Sequence, residues 1–251
     1  MDLNLAGRTA LVTGGGRDTG RQISLELARE GAAIAVNYNR SADEAEAVVK
    51  EIKEAGGKAK AYKADIADYG AVGAMVEAVA SDLGPVDILI NNAGYVKIQK
   101  FLESGPEDWK PQVDVCLYGA MNCCRAAAPA MVEGGWGRIV NLIGDSSRIG
   151  ESGISLAAAT RAGTTALGKS LAKELGRNGV TVNTVSLGLV RTSHSDADFL
   201  EKNMDRIVRN YPTRRIGMPE DVAPMVAFLA SDQAAWITGQ TISVNGGFSM
   251  V

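Results

Sequence analysis

Residues 9–20 read TALVTGGGRDTG. A short apolar run stops at three glycines, and a helical pattern carrying Ile23, Leu25 and Leu27 follows. The stretch therefore predicts a strand, a tight turn and a helix. Glycine at such a turn lets the backbone come close to a ligand. The helix opening there offers free N–H groups and the positive end of its dipole, so the turn is suited to a dinucleotide pyrophosphate.

Outward from this turn the same alternation repeats. Residues 32–37 (AAIAVN) form the next predicted strand, and Ser41 caps a helix through Ala55, with Glu44 completing a capping box. Gly56 and Gly57 end that helix, and residues 59–62 begin a third strand. A helix over Tyr69–Leu83, a strand over 86–91, a helix over 107–132 and a strand over 138–143 come next. An Ala-rich helix, a strand over 181–186, a variable segment over 189–215, a helix over 219–231 and a strand near Thr241–Val244 complete the series. Short apolar strands alternating with amphipathic helices imply βαβ units and a parallel sheet covered on both faces. No linker, repeat or low-complexity run interrupts them, so residues 1–251 are read as one α/β domain.

With 46% hydrophobic and 22% charged residues, the 251-residue chain has the composition of an ordinary soluble globular protein. A net charge of −3 gives no reason to expect a nucleic-acid or anionic-membrane partner. The N-terminus does not read as a signal peptide, and no apolar run approaches the roughly 20 residues that span a bilayer, so a cytoplasmic protein is expected. Cys116, Cys123 and Cys124 share one predicted helix, and the only histidine, His194, is remote in sequence. This spacing predicts small buried or half-buried thiols, with no disulfide framework and no metal site.

Three motifs at the strand ends carry a resemblance to a family: residues 13–20 (TGGGRDTG), Asp65-Ile66 after the third strand, and residues 91–94 (NNAG) after the fourth. The chain resembles the short-chain dehydrogenase/reductases, which read TGxxxGxG, Asp followed by an aliphatic residue, and NNAG. Residues 215–223 (RIGMPEDVA) and 237–247 (ITGQTISVNGG) extend the likeness. It implies a single Rossmann-like, doubly wound parallel sheet of seven strands in the order 3-2-1-4-5-6-7. It also implies a cofactor site at Gly14, Gly20, Asp65, Asn92, Gly94 and Thr192. Asp65 would meet the adenine, Asn92 would lie near the adenosine ribose, and Thr192 would meet the nicotinamide carboxamide.

The departures from the family pattern are specific. Asp18 stands where TGxxxGxG requires its middle glycine. A carboxylate there would satisfy the helix N-terminus by itself, as an internal surrogate for the pyrophosphate. The second strand ends VNYNR over residues 36–40, without the acidic residue that accepts a ribose hydroxyl; Arg17 and Arg40 would rather suit a 2′-phosphate. In the family a tyrosine exchanges the proton at the substrate oxygen. A lysine four residues on lowers its pKa, a serine binds the oxygen and an asparagine completes a water relay. Aligned on the flanking landmarks, the serine position is Gly144, the tyrosine position Ala157, the lysine position Arg161 and the asparagine position Cys116. None of the six tyrosines has lysine four residues on; only Tyr211 has a basic residue there, Arg215. The proline beside the nicotinamide in the family is Leu187 here.

These losses predict a pseudoenzyme that binds no cofactor: a non-catalytic subunit of a heteromeric NAD(P)-dependent alcohol dehydrogenase. Its partner would be a paralogous active subunit, in a heterotetramer, that binds NAD or NADP and oxidises a secondary alcohol, such as a hydroxyacyl-CoA of anaerobic aromatic breakdown. Small residues over 156–163 (LAAATRAG) would allow close approach of the partner's helices. The alternative is a self-sufficient enzyme with non-redox chemistry, a lyase, isomerase or hydrolase, using Asp145, Ser146, Arg148, Arg161 and Tyr95. The plainer reading of those residues is that Asp145 and the serines bond their own loop, while Arg161 pairs with an acid or a carbonyl.

Overall fold

The computed structural model describes residues 3–193 and 195–251, so His194 lies outside the described residues. The first half of the chain runs β1 (Thr9–Val12), α1 (Asp18–Arg29), β2 (Ala33–Tyr38), α2 (Ala42–Glu54), β3 (Ala59–Lys63), α3 (Tyr69–Leu83) and β4 (Ile88–Asn91). Then come α4 (Pro106–Val113), α5 (Gly119–Glu133), β5 (Gly137–Gly144), α6 (Ser146–Ile149) and α7 (Ser155–Leu175). The last part is β6 (Val180–Leu187), α8 (Ala197–Val208), α9 (Pro219–Leu229) and β7 (Thr241–Val244). The strands form one parallel sheet in the expected order, β3-β2-β1-β4-β5-β6-β7.

β1 and β4 are buried at every position, which is why both read as unbroken apolar runs. Side chains alternate across the sheet. Ala10 and Val12 join Ile23, Leu27, Val48 and Val226 on the face covered by α1, α2 and α9, and Leu11 joins Val72, Val79 and Met131 on the face covered by α3 and α5. After β3 the chain crosses back to place β4 on the far side of β1. That reversal opens a crevice at the carboxyl ends of β1 and β4, where ligands bind in sheets of this kind. The glycine turn and residues 91–94 both lie there.

Element boundaries fall within about two residues of expectation, with three differences. The capping box at Ser41 does not form: its backbone is at φ −91°, ψ 66°, away from the extended geometry of a cap, and its hydroxyl makes no cap bond. The helix expected over 107–132 is continuous but widens in the middle. Over Asp114–Tyr118 it is a π-type turn, and Gly119 N–H reaches back five residues to Asp114 O. The variable segment contains a full helix, α8, whose N-terminus is capped by Asp196 accepting from Phe199 N–H at 2.9 Å. Leu200 is its one fully buried residue, so the apolar signal is thin.

Cys116, Cys123 and Cys124 are all buried and free. Burial pushes the Cys124 thiol up to about 11. Among the described residues no helix is long and apolar enough to cross a membrane.

Candidate functional site

The glycine turn is held by side chains from three neighbouring strands. Thr13 Oγ1 donates to Ile90 O at 3.1 Å and accepts from Asn92 and Ala93 N–H at 3.0 and 3.1 Å. Asn92 Nδ2 donates to Thr13 O and Gly14 O at 3.0 and 3.2 Å. Asn92 thus braces the turn itself, a role that its expected place beside the ribose did not include. Gly14 has φ +60°, where a side chain is strained. A Cβ on Gly20 would fall 2.1 Å from Gly14 O, so turn and helix meet backbone to backbone.

Asn37, near the end of β2, is a further anchor. Its Nδ2 donates to Ala64 O at 3.1 Å, while its Oδ1 and O accept from Gly14 and Gly15 N–H at 3.3 and 3.0 Å. It therefore ties the turn after β1 to the end of β3. A polar residue inside the apolar run AIAVNY was the signal that could have revealed it. Asp65 caps its own turn, accepting from Ala67 N–H at 3.0 Å.

Asp18 is not where the surrogate-anion reading put it. It is the first residue of α1, but its carboxylate turns to the loop after β6, accepting from Ser193 N–H at 2.6 Å and Ser193 Oγ at 3.0 Å. Arg21 N–H bonds back to Arg17 O, and the N–H groups before it in the helix have no intrahelical acceptor in range. The phosphate cradle is not filled from within. Thr192 sits beside Ser193, its N–H donating to Ser195 Oγ at 2.9 Å.

At the other end of the crevice the four family positions lie together but carry no proton-transfer group. Gly144 closes β5, and its carbonyl accepts from Ser147 Oγ at 2.6 Å. Ala157 is buried in the first turn of α7. Cys116 sits in the π-type turn, its Sγ donating to Tyr95 O and accepting from Tyr95 N–H, both at 3.4 Å; its own carbonyl accepts from Thr164 Oγ1 at 2.9 Å. Arg161 is drawn inward: Nη1 donates to Leu142 O, and Nη2 lies against Gly94. Beside it, between Thr13, Cys116 and Thr164, a void of only about 10 Å³ remains.

A Cβ at Gly94 would meet Arg161 Nη2 at 2.0 Å. Gly94→Ala should therefore expel the guanidinium and cost about 1–3 kcal/mol, the range for overpacking. In an Arg161→Ala background the same change should cost under about 0.5 kcal/mol, a coupling that a double-mutant cycle of urea melts would measure. Equal costs in both backgrounds would show that the two residues do not touch.

Asp145, offered at first as a reactive group, is a structural hub. Its Oδ1 accepts from Ser186 Oγ at 2.5 Å, and its Oδ2 accepts from Asn245 Nδ2 at 2.6 Å and Ser249 Oγ at 2.8 Å, at 2% exposure. It bonds β6 and the segment after β7, where its own loop was expected. Arg148 reaches the same region, donating to Ser243 Oγ at 2.7 Å and to Val251 O. Tyr211 is a pin for the loop after β6: it stacks on Phe248 at 5.1 Å, and its hydroxyl accepts from Leu189 N–H at 2.9 Å. Glu151, between α6 and α7, holds its proton above the usual carboxyl range, first because of burial and second because of the Asp145 charge.

The whole-chain comparisons agree with this layout. Residues 17–249 match the family model described as enoyl-(acyl carrier protein) reductase. The 3-oxoacyl-(acyl-carrier-protein) reductase FabG of Staphylococcus aureus is 42% identical over 243 residues, covering 97% of this chain and 98% of the relative. The chain belongs to the short-chain dehydrogenase/reductase family. An acetoacetyl-CoA reductase of Rhizobium meliloti is 38% identical, over 96% of this chain and 98% of its own. A crystal structure described as a short-chain alcohol dehydrogenase of Sinorhizobium meliloti superposes with a TM-score of 0.94 at 32% identity, covering 99% and 98% of the two chains.

Two expectations are corrected by these findings. The non-catalytic subunit of a heteromeric dehydrogenase, and with it the rival of non-redox chemistry, is overturned, because relatives named as reductases match this chain across nearly the full length. Neither a pseudoenzyme role nor a link to aromatic breakdown is carried by any of these relatives. The expectation that the chain binds no cofactor falls with them. Its physical support was Asp18 on the helix N–H groups, and Asp18 is engaged with Ser193 instead.

Proposed function

We propose that this chain is itself a nicotinamide-dependent reductase of 3-oxoacyl thioesters. The observation that carries the reading is the braced and open glycine turn, in a chain related over its whole length to reductases named for 3-oxoacyl carrier protein and acetoacetyl-CoA substrates. The residues at the turn fit a dinucleotide. Gly20 packs directly on Gly14 O, which sets the turn at the head of α1, and the free N–H groups of that helix N-terminus suit a pyrophosphate. Arg17 and Arg40 supply positive charge for a 2′-phosphate, which favours NADP.

When bound, the reduced nicotinamide supplies the hydride for the 3-oxo carbon. The chain's part is to hold the carbonyl and let a proton reach its oxygen. Gly144 and Ala157 carry no acid, so the proton comes from solvent. General acid catalysis of this kind contributes about 10²–10⁴-fold, and this chain forgoes it. Fluorescence titration with NADPH, followed by its oxidation in the presence of acetoacetyl-CoA, tests the reading. The expected result is measurable binding with slow, stoichiometric formation of the 3-hydroxy product. Absence of NADPH and NADH binding at millimolar concentration would overturn it.

A further inference from the structure

The contact between Asp18 and Ser193 joins two sides of the crevice that are 175 residues apart in sequence. Both carboxylate oxygens are used, one on the Ser193 N–H and one on its hydroxyl. The Asp18 backbone has φ +49°, a left-handed conformation that costs a residue with a side chain roughly 1–2 kcal/mol. An aspartate is thus held in a glycine's conformation with its charge facing the opposite loop. Thr192, next to Ser193, bonds Ser195 through its own N–H and hydroxyl.

A pyrophosphate taking the free N–H groups at the start of α1 would bring its charge next to the carboxylate of Asp18, the first residue of that helix. Two anionic groups within a few ångströms repel, here at a solvent-exposed contact where water moderates the effect. A bound phosphate therefore disfavours the carboxylate's place against Ser193. Asp18 has no other ion-pair partner among the described residues, so the contact with Ser193 is what positions it.

We propose, resting on the reductase reading, that Asp18 and Ser193 form a latch across the dinucleotide entrance, closed in the free chain and broken when the pyrophosphate enters. Cofactor affinity is then set by the work of opening the latch as well as by contacts in the site. Ser193 acts as a positioning residue for entry and has no part in the chemistry.

The test is NADPH binding by fluorescence titration for the wild type, Ser193→Ala, Asp18→Asn and Asp18→Gly. It is paired with amide hydrogen exchange over residues 189–197 in the absence of cofactor. Removing the charge-assisted bonds and the repulsion should tighten NADPH binding about 10–100-fold in Asp18→Gly, and by less in Ser193→Ala, which keeps its N–H donor. Cofactor-free Asp18→Asn and Asp18→Gly should exchange faster at the Ser193 amide than the wild type. Equal and measurable NADPH affinity in the wild type and Asp18→Gly overturns the latch alone, as does unchanged exchange. Failure of every variant, Asp18→Gly included, to bind NADPH overturns the reductase reading and the latch with it.

Discussion

The combined substitutions Gly144→Ser, Ala157→Tyr and Arg161→Lys should raise turnover of NADPH with acetoacetyl-CoA by about 10²–10⁴-fold, the usual contribution of a positioned general acid. The backbone is ready for the first change: a Cβ at Gly144 meets only Ser146 Oγ, at 3.4 Å, an ordinary contact. The third is needed as much as the second. Arg161 is spent on Leu142 O and lies under Gly94, so a tyrosine four residues earlier would lack the nearby cation that lowers its pKa. Ala157→Tyr alone should therefore give less than about a tenth of the combined gain. Ala157 is buried, and the ring will cost some stability, so thermal melts should accompany the kinetics. A triple variant that folds, binds NADPH and turns over no faster than the wild type would show that the crevice no longer aligns carbonyl and hydride.

Loss of the Asp145 carboxylate should be the most damaging single change outside the core. Asp145→Ala leaves Ser186, Asn245 and Ser249 without their shared acceptor in a buried site, which costs about 2–4 kcal/mol. At about 2–4 °C per kcal/mol for a chain of this size, the midpoint should fall by roughly 5–15 °C. Asp145→Asn keeps an acceptor for Asn245 and Ser249 but turns an N–H₂ toward the Ser186 hydroxyl, which must then reorient, so about half that loss is expected. Differential scanning calorimetry of the two variants decides it; an Asp145→Ala midpoint within about 1 °C of the wild type would mean that the cluster rearranges freely.

Local order was legible because it depends on local pattern. The runs TALV and ILIN had to be central strands, since only a sheet covered on both faces buries four consecutive side chains. The strand order came from the family resemblance that the glycine turn, Asp65-Ile66 and residues 91–94 carry, and the sheet has that order. The elements that carry Gly144, Ala157, Arg161 and Cys116 were legible as well: the end of β5, α7 and the helical stretch before α5.

Partnerships over long sequence separations were not legible. Nothing near Asp18 points to Ser193, and nothing near Asp145 points to Asn245 or Ser249, 100 and 104 residues on. That Arg161 pairs with an acid or a carbonyl was expected; that the carbonyl is Leu142 O, brought beneath it by β5, was not legible. The function was misread for a related reason. Four vacated positions were weighed against the chemistry of one site, while the likeness to reductases is distributed over some 240 residues and outweighs them.

The left-handed backbone at Asp18 also has a genetic consequence. Any aspartate codon becomes a glycine codon by a single base change, and that change would relieve about 1–2 kcal/mol of backbone strain as it removes the charge. Alanine to tyrosine at position 157 needs at least two base changes and a place for a ring. An ancestor or descendant of this chain can thus recover an unobstructed phosphate turn in one step, without passing through a less stable intermediate. In a mutagenised population selected on NADPH retention, glycine at position 18 should appear first.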